Sequence, residues 1–143
     1  MTMKTVPYIW MNGRFVKWKD AKVHILTHAL HYGTGVFEGI RCYDTALGPA
    51  VFRLKDHMER LENSAKALDI EMPYSIVEMC NATKSLIRKN RIKECYIRPI
   101  IYYGYGKMGL DPRGASVDAA IAVWPWGKYL GEESVIRGVR CRI

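Results

Sequence analysis

At 143 residues, with 49% hydrophobic and 25% charged side chains, the chain has the size and composition of one ordinary globular domain. No apolar run approaches the roughly 20 residues that span a bilayer. Residues 1–15 lack the apolar core of a secretory signal, so a cytoplasmic protein with no membrane partner is expected. The formal net charge of +8 raises nucleic acid as a partner, but the basic residues are interleaved with acids, as in 52–66 and 87–95, and form no like-charge block. That leaves a solvated basic surface or attraction of small anions. Cysteines 42, 80, 95 and 141 are far apart and form no CxxC pair, so neither a metal site nor a redox motif is expected, and buried free thiols are.

Residues 8–11 and 14–18 flank Asn12-Gly13, the dipeptide that best accepts the two positive φ angles of a type I′ hairpin turn. A stretch rich in His, Gly and Tyr over 28–35 is followed by residues 36–43, which read as a strand. A loop at 44–49 and a short strand at 50–54 follow. At least four strands thus fall within the first 54 residues, joined by connections too short for crossover helices, which predicts antiparallel pairing. Two helices come next. Asp56 is placed to cap the first, with Met58, Leu61, Ala65 and Leu68 on one apolar stripe. Ser75 and Glu78 have the spacing of a capping box for the second, whose buried face is Ile76, Met79, Ala82, Leu86 and Ile87 and which is expected to fray near Asn90.

Residues 94–103 are rich in aromatic and β-branched side chains and predict a strand. A glycine-punctuated loop over 104–114 leads to a nearly all-apolar, hence central, strand over 117–124. Strand character resumes at 139–143. The expected fold is α+β, a two-layer sandwich of an antiparallel sheet covered on one face by two helices. The expected organisation is a small domain over 1–126, a linker over 127–136, and the first strand of a further domain over 137–143.

Three features have the chemistry to hold a small anion. Arg53, His57, Arg60 and Ser64, spaced four, three and four apart, form a ridge along the first helix, either an anion grip or a plain solvated face. Tyr96 and Arg98, two apart on a strand, share one face. An arginine among residues that favour burial needs an internal partner or an anionic ligand. Glycines beside aromatic residues, in His31-Tyr32-Gly33 and Phe37-Glu38-Gly39, permit close backbone approach to a ligand, or simply make a turn. None of these is a hydrolase triad, a P-loop or a dinucleotide fingerprint.

Residues 28–43, HALHYGTGVFEGIRCY, closely resemble the signature of the fold-type IV aminotransferases in its branched-chain form. Residues 8–13, Phe52-Arg53 with residues 57–61, Tyr96-x-Arg98-Pro99 and residues 125–131 are similar to that family in order and separation, so the resemblance covers essentially the whole chain. It implies the smaller, N-terminal domain of two, with pyridoxal 5'-phosphate held between them. It implies that Arg60 grips the cofactor phosphate, that Tyr96, Arg98 and Tyr129 face the substrate, and that Phe37 and Gly39 line its side-chain pocket. Tyr32, Met108 and Leu110 would reach the pocket of a neighbouring subunit in a homo-oligomer.

The Schiff-base lysine of the family motif would lie beyond Ile143. None of the eleven lysines present stands in that motif, so the chain by itself is expected to be inactive. The activity implied is transfer of an amino group between leucine, isoleucine or valine and 2-oxoglutarate, a step of branched-chain amino acid biosynthesis. The alternatives are a D-amino-acid aminotransferase, an aminodeoxychorismate lyase, or a basic anion-binding or nucleic-acid-binding module.

Overall fold

The computed structural model describes residues 4–126, 133 and 136–142. Strands β1 (Tyr8–Met11) and β2 (Arg14–Lys17) form the expected hairpin, with Asn12 at φ 47° and Gly13 at φ 81°. Helix α1 (His28–Tyr32) precedes β3 (Gly35–Phe37), β4 (Ile40–Thr45) and β5 (Gly48–Val51). The two long helices are α2 (Leu54–Ala67) and α3 (Ile76–Asn90), followed by β6 (Cys95–Tyr103) and β7 (Val117–Trp124). All strands pair antiparallel in one sheet of order β2-β1-β7-β6-β4-β5, with β3 also on β6.

The period-two alternation of the strands divides the sheet into two unlike faces. Trp10, Ile40, Cys42, Ile97, Ile101, Ala119, Ile121 and Val123 turn to one side. There they pack into a single core with Met58, Leu61 and Ala65 of α2 and Met79, Leu86 and Ile87 of α3. The other face carries Ile9, Met11, Tyr96, Arg98, Ile100, Ala120, Ala122 and Trp124, all only partly buried. The expected two-layer arrangement is therefore present, and the second face of the sheet is bordered by α1 at one end.

Local details depart from expectation in several places. The strand expected over 36–43 is broken at Glu38-Gly39. Glu38 N donates to Pro99 O (3.1 Å), and in a strand the N–H and C=O of one residue point the same way. The donor that Pro99 lacks therefore faces this break, and the ladder cannot run through it. Residues 28–32, left without an assigned element, form a helix closed by Gly33 in the left-handed region at φ 68°.

Asp56 does not cap α2. The helix starts earlier, at Leu54, because that side chain is buried in the core; Arg53 is the cap residue, at φ 47°, and Asp56 pairs with its guanidinium. Leu68, expected on the apolar stripe, falls just past the helix end and is 48% exposed. The capping box of α3 is formed, with Ser75 N donating to Glu78 Oε2 (2.8 Å) and Glu78 N to Ser75 Oγ (3.3 Å).

α3 ends at Asn90, near the expected place, and that residue is bonded to β1. Asn90 Oδ1 accepts from Tyr8 N (2.9 Å) and Asn90 Nδ2 donates to Tyr8 O (3.0 Å), tying the helix to β1. Cys42 and Cys95 are buried opposite one another on β4 and β6, and burial pushes the Cys95 thiol up to about 12. Cys80 is half-buried and Cys141 exposed, so the four thiols are not uniformly buried. Residues 138–142, expected to open a strand, are exposed and have no regular structure, since a strand forms only against a hydrogen-bonded neighbour.

Leu61→Ala should cost about 2–5 kcal/mol, the range for truncating a fully buried leucine, whereas Leu68→Ala should stay within about 0.5 kcal/mol. Urea unfolding midpoints of the two variants check whether the stripe ends where the structure places it.

Candidate functional site

The open face of the sheet carries a half-buried charge, Arg98. Arg98 lies on β6 opposite Ala122 of β7, whose small side chain leaves room above the sheet. Its Nη2 donates to the Tyr96 hydroxyl (2.9 Å), and its guanidinium carbon stands 4.2 Å from the Phe37 ring centroid and 5.3 Å from that of Tyr96. Arg98 Nε is buried and has no hydrogen-bond partner among the described residues. A buried donor left unpaired costs about 1–3 kcal/mol, so this atom marks where the face is unsatisfied.

Tyr96 is held in turn by an aromatic cluster, its ring centroid 5.0 Å from that of Trp124 and 4.6 Å from that of Trp126. Gly39 completes the arrangement. Any Cβ there would collide with the Tyr96 hydroxyl, so the glycine is needed for close approach of the chain's own phenol. Gly39, Ile40, Arg41, Tyr96, Arg98 and Trp126 line an open pocket of ≈ 370 Å³.

The break between β3 and β4 connects this face to the helix layer. Phe37 turns to the open face and Glu38 to the opposite one, where its side chain is 8% exposed. Glu38 Oε1 and Oε2 accept from Arg60 Nε (2.5 Å) and Nη2 (2.7 Å), and Oε2 also contacts His57 Nδ1 (3.0 Å). The Arg60 hydrogen bond holds the Glu38 carboxyl below its usual range; burial opposes this and His57 reinforces it. The ridge read along α2 is thus internally partnered: Arg53 on Asp56, His57 and Arg60 on Glu38, and Ser64 Oγ on Arg60 O (2.9 Å). Arg60 nonetheless keeps 65% of its side chain exposed, with Nη1 making no hydrogen bond among the described residues, so it can still meet an anion.

A third group assembles around Gly109. His28 is fully buried, with Nδ1 on Thr34 Oγ1 (2.8 Å) and Nε2 on Gly109 O (2.7 Å). Gly109 N donates to the Tyr32 hydroxyl (3.1 Å). The tip of the 104–114 loop is therefore pinned to α1 through both backbone groups of one residue. Met108 and Leu110, 41% and 90% exposed, stand either side of that pin.

The structure so brings Phe37, Gly39, Tyr96 and Arg98 into one cluster, Tyr32, Met108 and Leu110 into another, and Arg60 to the far side of Glu38. Tyr129 lies outside the described residues. Glu38, His57 as its second partner, Trp126 and His28 were not singled out from sequence as members of these clusters. A lone acid inside an apolar strand was the available signal for Glu38.

The sequence profile described as amino-transferase class IV matches residues 35–142. This chain belongs to the class IV aminotransferase family. It is 52% identical over 140 residues to the branched-chain-amino-acid aminotransferase of Escherichia coli strain K12, covering 97% of this chain and 45% of that protein. It superposes on the crystal structure of the E. coli enzyme with a TM-score of 0.88 at 53% identity, over 91% of this chain and 43% of that one. The T.th. branched-chain amino acid aminotransferase, solved in complex with N-(5'-phosphopyridoxyl)-L-glutamate, gives a TM-score of 0.83 at 48% identity over 87% of this chain and 42% of that one.

The chain spans less than half the length of these class IV relatives. The matched region begins at β3 and takes in the Glu38 hub, both long helices and the Arg98 pocket. Among the described residues of this class IV chain, no group of three or more His, Cys, Asp or Glu side chains is placed to hold a metal ion.

Glu38→Gln should destabilise the protein by about 1–2 kcal/mol at pH 7, discounted from a buried pair because Arg60 is largely exposed. Because the folded-state pKa of Glu38 is depressed, this stability is present above the unfolded value of about 4.3 and is lost as pH falls through the folded value. Urea midpoints of parent and variant should therefore differ from pH 7 down to about 5 and converge in stronger acid. Separately, His28→Ala should raise amide hydrogen exchange around Gly109 by roughly tenfold while leaving β6 and β7 unchanged. Equal protection of the loop in both proteins would mean that Tyr32 alone holds it.

Proposed function

We propose that this chain forms the small, N-terminal domain of a branched-chain-amino-acid aminotransferase that uses pyridoxal 5'-phosphate, in a cytoplasmic homo-oligomer. The observation that carries the reading is Arg98 on the open sheet face, walled by Phe37 and Tyr96 and with a buried, unpartnered Nε. In this reading residues 1–126 are the domain, 127–136 lead out of it, and 137–143 begin the strand layer of a second domain, which supplies the missing neighbour for residues 138–142.

The residues present fit the cofactor. Arg60 offers an exposed guanidinium fixed at Nε and Nη2 by Glu38, so its direction is set before any phosphate arrives. Pyridoxal 5'-phosphate, when bound, supplies the electron sink that lets the α-proton of an amino acid leave. The lysine of the family motif would come from the second domain.

This chain's own part is recognition. The transfer requires one pocket to take an aliphatic side chain in one half-reaction and the distal carboxylate of glutamate in the other. Tyr96 and Trp126 offer apolar wall for the first, with the Phe37 ring against the Arg98 guanidinium. Arg98 offers a cation for the second, with Nε unengaged. When an aliphatic side chain occupies the pocket, the Tyr96 hydroxyl and the ring of Phe37 still stabilise the guanidinium, so the charge is not left bare. That partial satisfaction is what lets one pocket accept both substrates. Tyr32, Met108 and Leu110, pinned together but exposed, are positioned to complete the pocket of a neighbouring subunit. The likeness to the T.th. enzyme solved with a phosphopyridoxyl-glutamate adduct supports both the cofactor and the acidic substrate.

In the full-length enzyme, Arg98→Met should cost roughly 2–4 kcal/mol in transition-state binding of glutamate and far less for leucine. The quantity to measure is the ratio of kcat/KM for glutamate over leucine. An unchanged ratio, with both constants lowered together, would reduce Arg98 to a structural cation.

A further inference from the structure

The basic excess of the chain has no role in the pocket described above, and a large share of it converges on one place. Between β5 and the C-terminal end of α3 lies an open groove of ≈ 620 Å³, lined by Pro49, Ala50, Val51, Leu54, Ile87 and Ile92 below, and by Lys84, Arg88, Arg91 and Lys93 at its rim. The floor is aliphatic throughout and contains no aromatic ring. The rim is cationic throughout. None of these residues lines the Arg98 pocket or touches Glu38.

The four cations are poorly answered by the chain itself. Lys93 Nζ has Asp44 at 3.9 Å, the outer limit of an ion pair, and Arg88 Nη2 reaches the neutral Ser85 Oγ at 3.3 Å. The side chains of Lys84 and Arg91 have no hydrogen-bond or ion-pair partner among the described residues. Compensation of the helix dipole accounts for a cation in the last turn of α3, as at Arg88. It does not account for Lys84, more than a turn earlier, nor for Arg91 and Lys93, which lie beyond the helix. Arg91 is also the left-handed residue that ends α3, at φ 52°, so the backbone fixes its position at the groove mouth.

We propose that this groove is a binding site for a small amphipathic anion: an aliphatic chain of medium length bearing one carboxylate or phosphate. The aliphatic floor takes the chain and excludes water from it, and the rim takes the head group. Leu54 and Ile87 belong to the main core, 7% and 4% exposed, so that part of the floor is already formed in the folded chain. The absence of any ring from the lining favours an alkyl over a nucleobase or aromatic body, which would gain stacking elsewhere.

The test uses octanoate, octyl phosphate and the uncharged octyl glucoside as probes, with the full-length protein and isoleucine methyl labelling. Both anions should bind saturably, shift the Ile87 and Ile92 methyl resonances, and weaken as salt is raised. The tighter of the two identifies the head group, and octyl glucoside should bind at least about tenfold more weakly. The double variant Lys84→Gln, Arg91→Gln should lose about tenfold in affinity. Lys89→Gln should lose less than about twofold, because Lys89 faces away, over the rings of Tyr8 and Phe15 at 4.5 and 5.2 Å. Glucoside affinity equal to that of the anions, no shift at Ile87 and Ile92, or full affinity in the double variant would overturn the proposal. No part of this measurement reads transamination, so it stands or falls apart from the enzymatic reading.

Discussion

The ladder between β6 and β7, in register from Tyr96 opposite Trp124 to Tyr103 opposite Val117, is the constraint on which the domain depends. β6 also pairs with β3 and β4, so three strands are fixed by one. Its alternation sends Ile97 and Ile101 into the helix-covered core and Tyr96 and Arg98 to the other side. The packed core and the Arg98 cluster are thus written on opposite faces of the same strand. A slip of one residue would exchange them, burying a guanidinium beneath the helices and exposing isoleucine.

Pro99 turns that constraint into a site. Without its N–H one hydrogen bond of the ladder toward β3 and β4 is lost, and the strand assignment is interrupted at Glu38-Gly39 while the register continues on either side. One residue of this interruption points to the helices, where it fixes Arg60. The next has no side chain, which lets the Tyr96 hydroxyl stand over Arg98. Glu38 and Gly39, adjacent in the chain, therefore join Arg60 of α2 to the Arg98 pocket. The coupling is short, covalent through two residues, and rigid because Glu38 is buried and doubly bonded.

The loop after β6 is likewise held by few fixed points. Its glycines allow the chain to turn, but conformational freedom alone would leave Met108 and Leu110 disordered in direction. Two bonds to the backbone of Gly109, from a buried histidine and a tyrosine of α1, settle the matter. Because both partners belong to the segment that opens β3, the loop and the pocket wall at Phe37 are referenced to one short stretch of chain.

Much of the architecture was legible in the sequence because it rests on local physics. The Asn12-Gly13 turn, the Ser75 capping box, the apolar stripes of both helices and the strands over 94–103 and 117–124 follow from backbone preference and periodicity, and the structure has them. Tyr96 and Arg98 sharing a face follows from period two alone. The resemblance carried Arg60, Phe37 and Gly39 where residue pattern left alternatives open. The start of α2 at Leu54, the helix at 28–32, the break at Glu38 and the role of Asn90 were decided by tertiary structure. Each depends on a partner distant in sequence: a core that claims Leu54, a carbonyl of Pro99, a backbone edge at Tyr8. Propensity registers only near neighbours, whereas the hydrogen-bonding groups that a distant strand offers or lacks determine where pairing continues, and that information exists only once the sheet has closed.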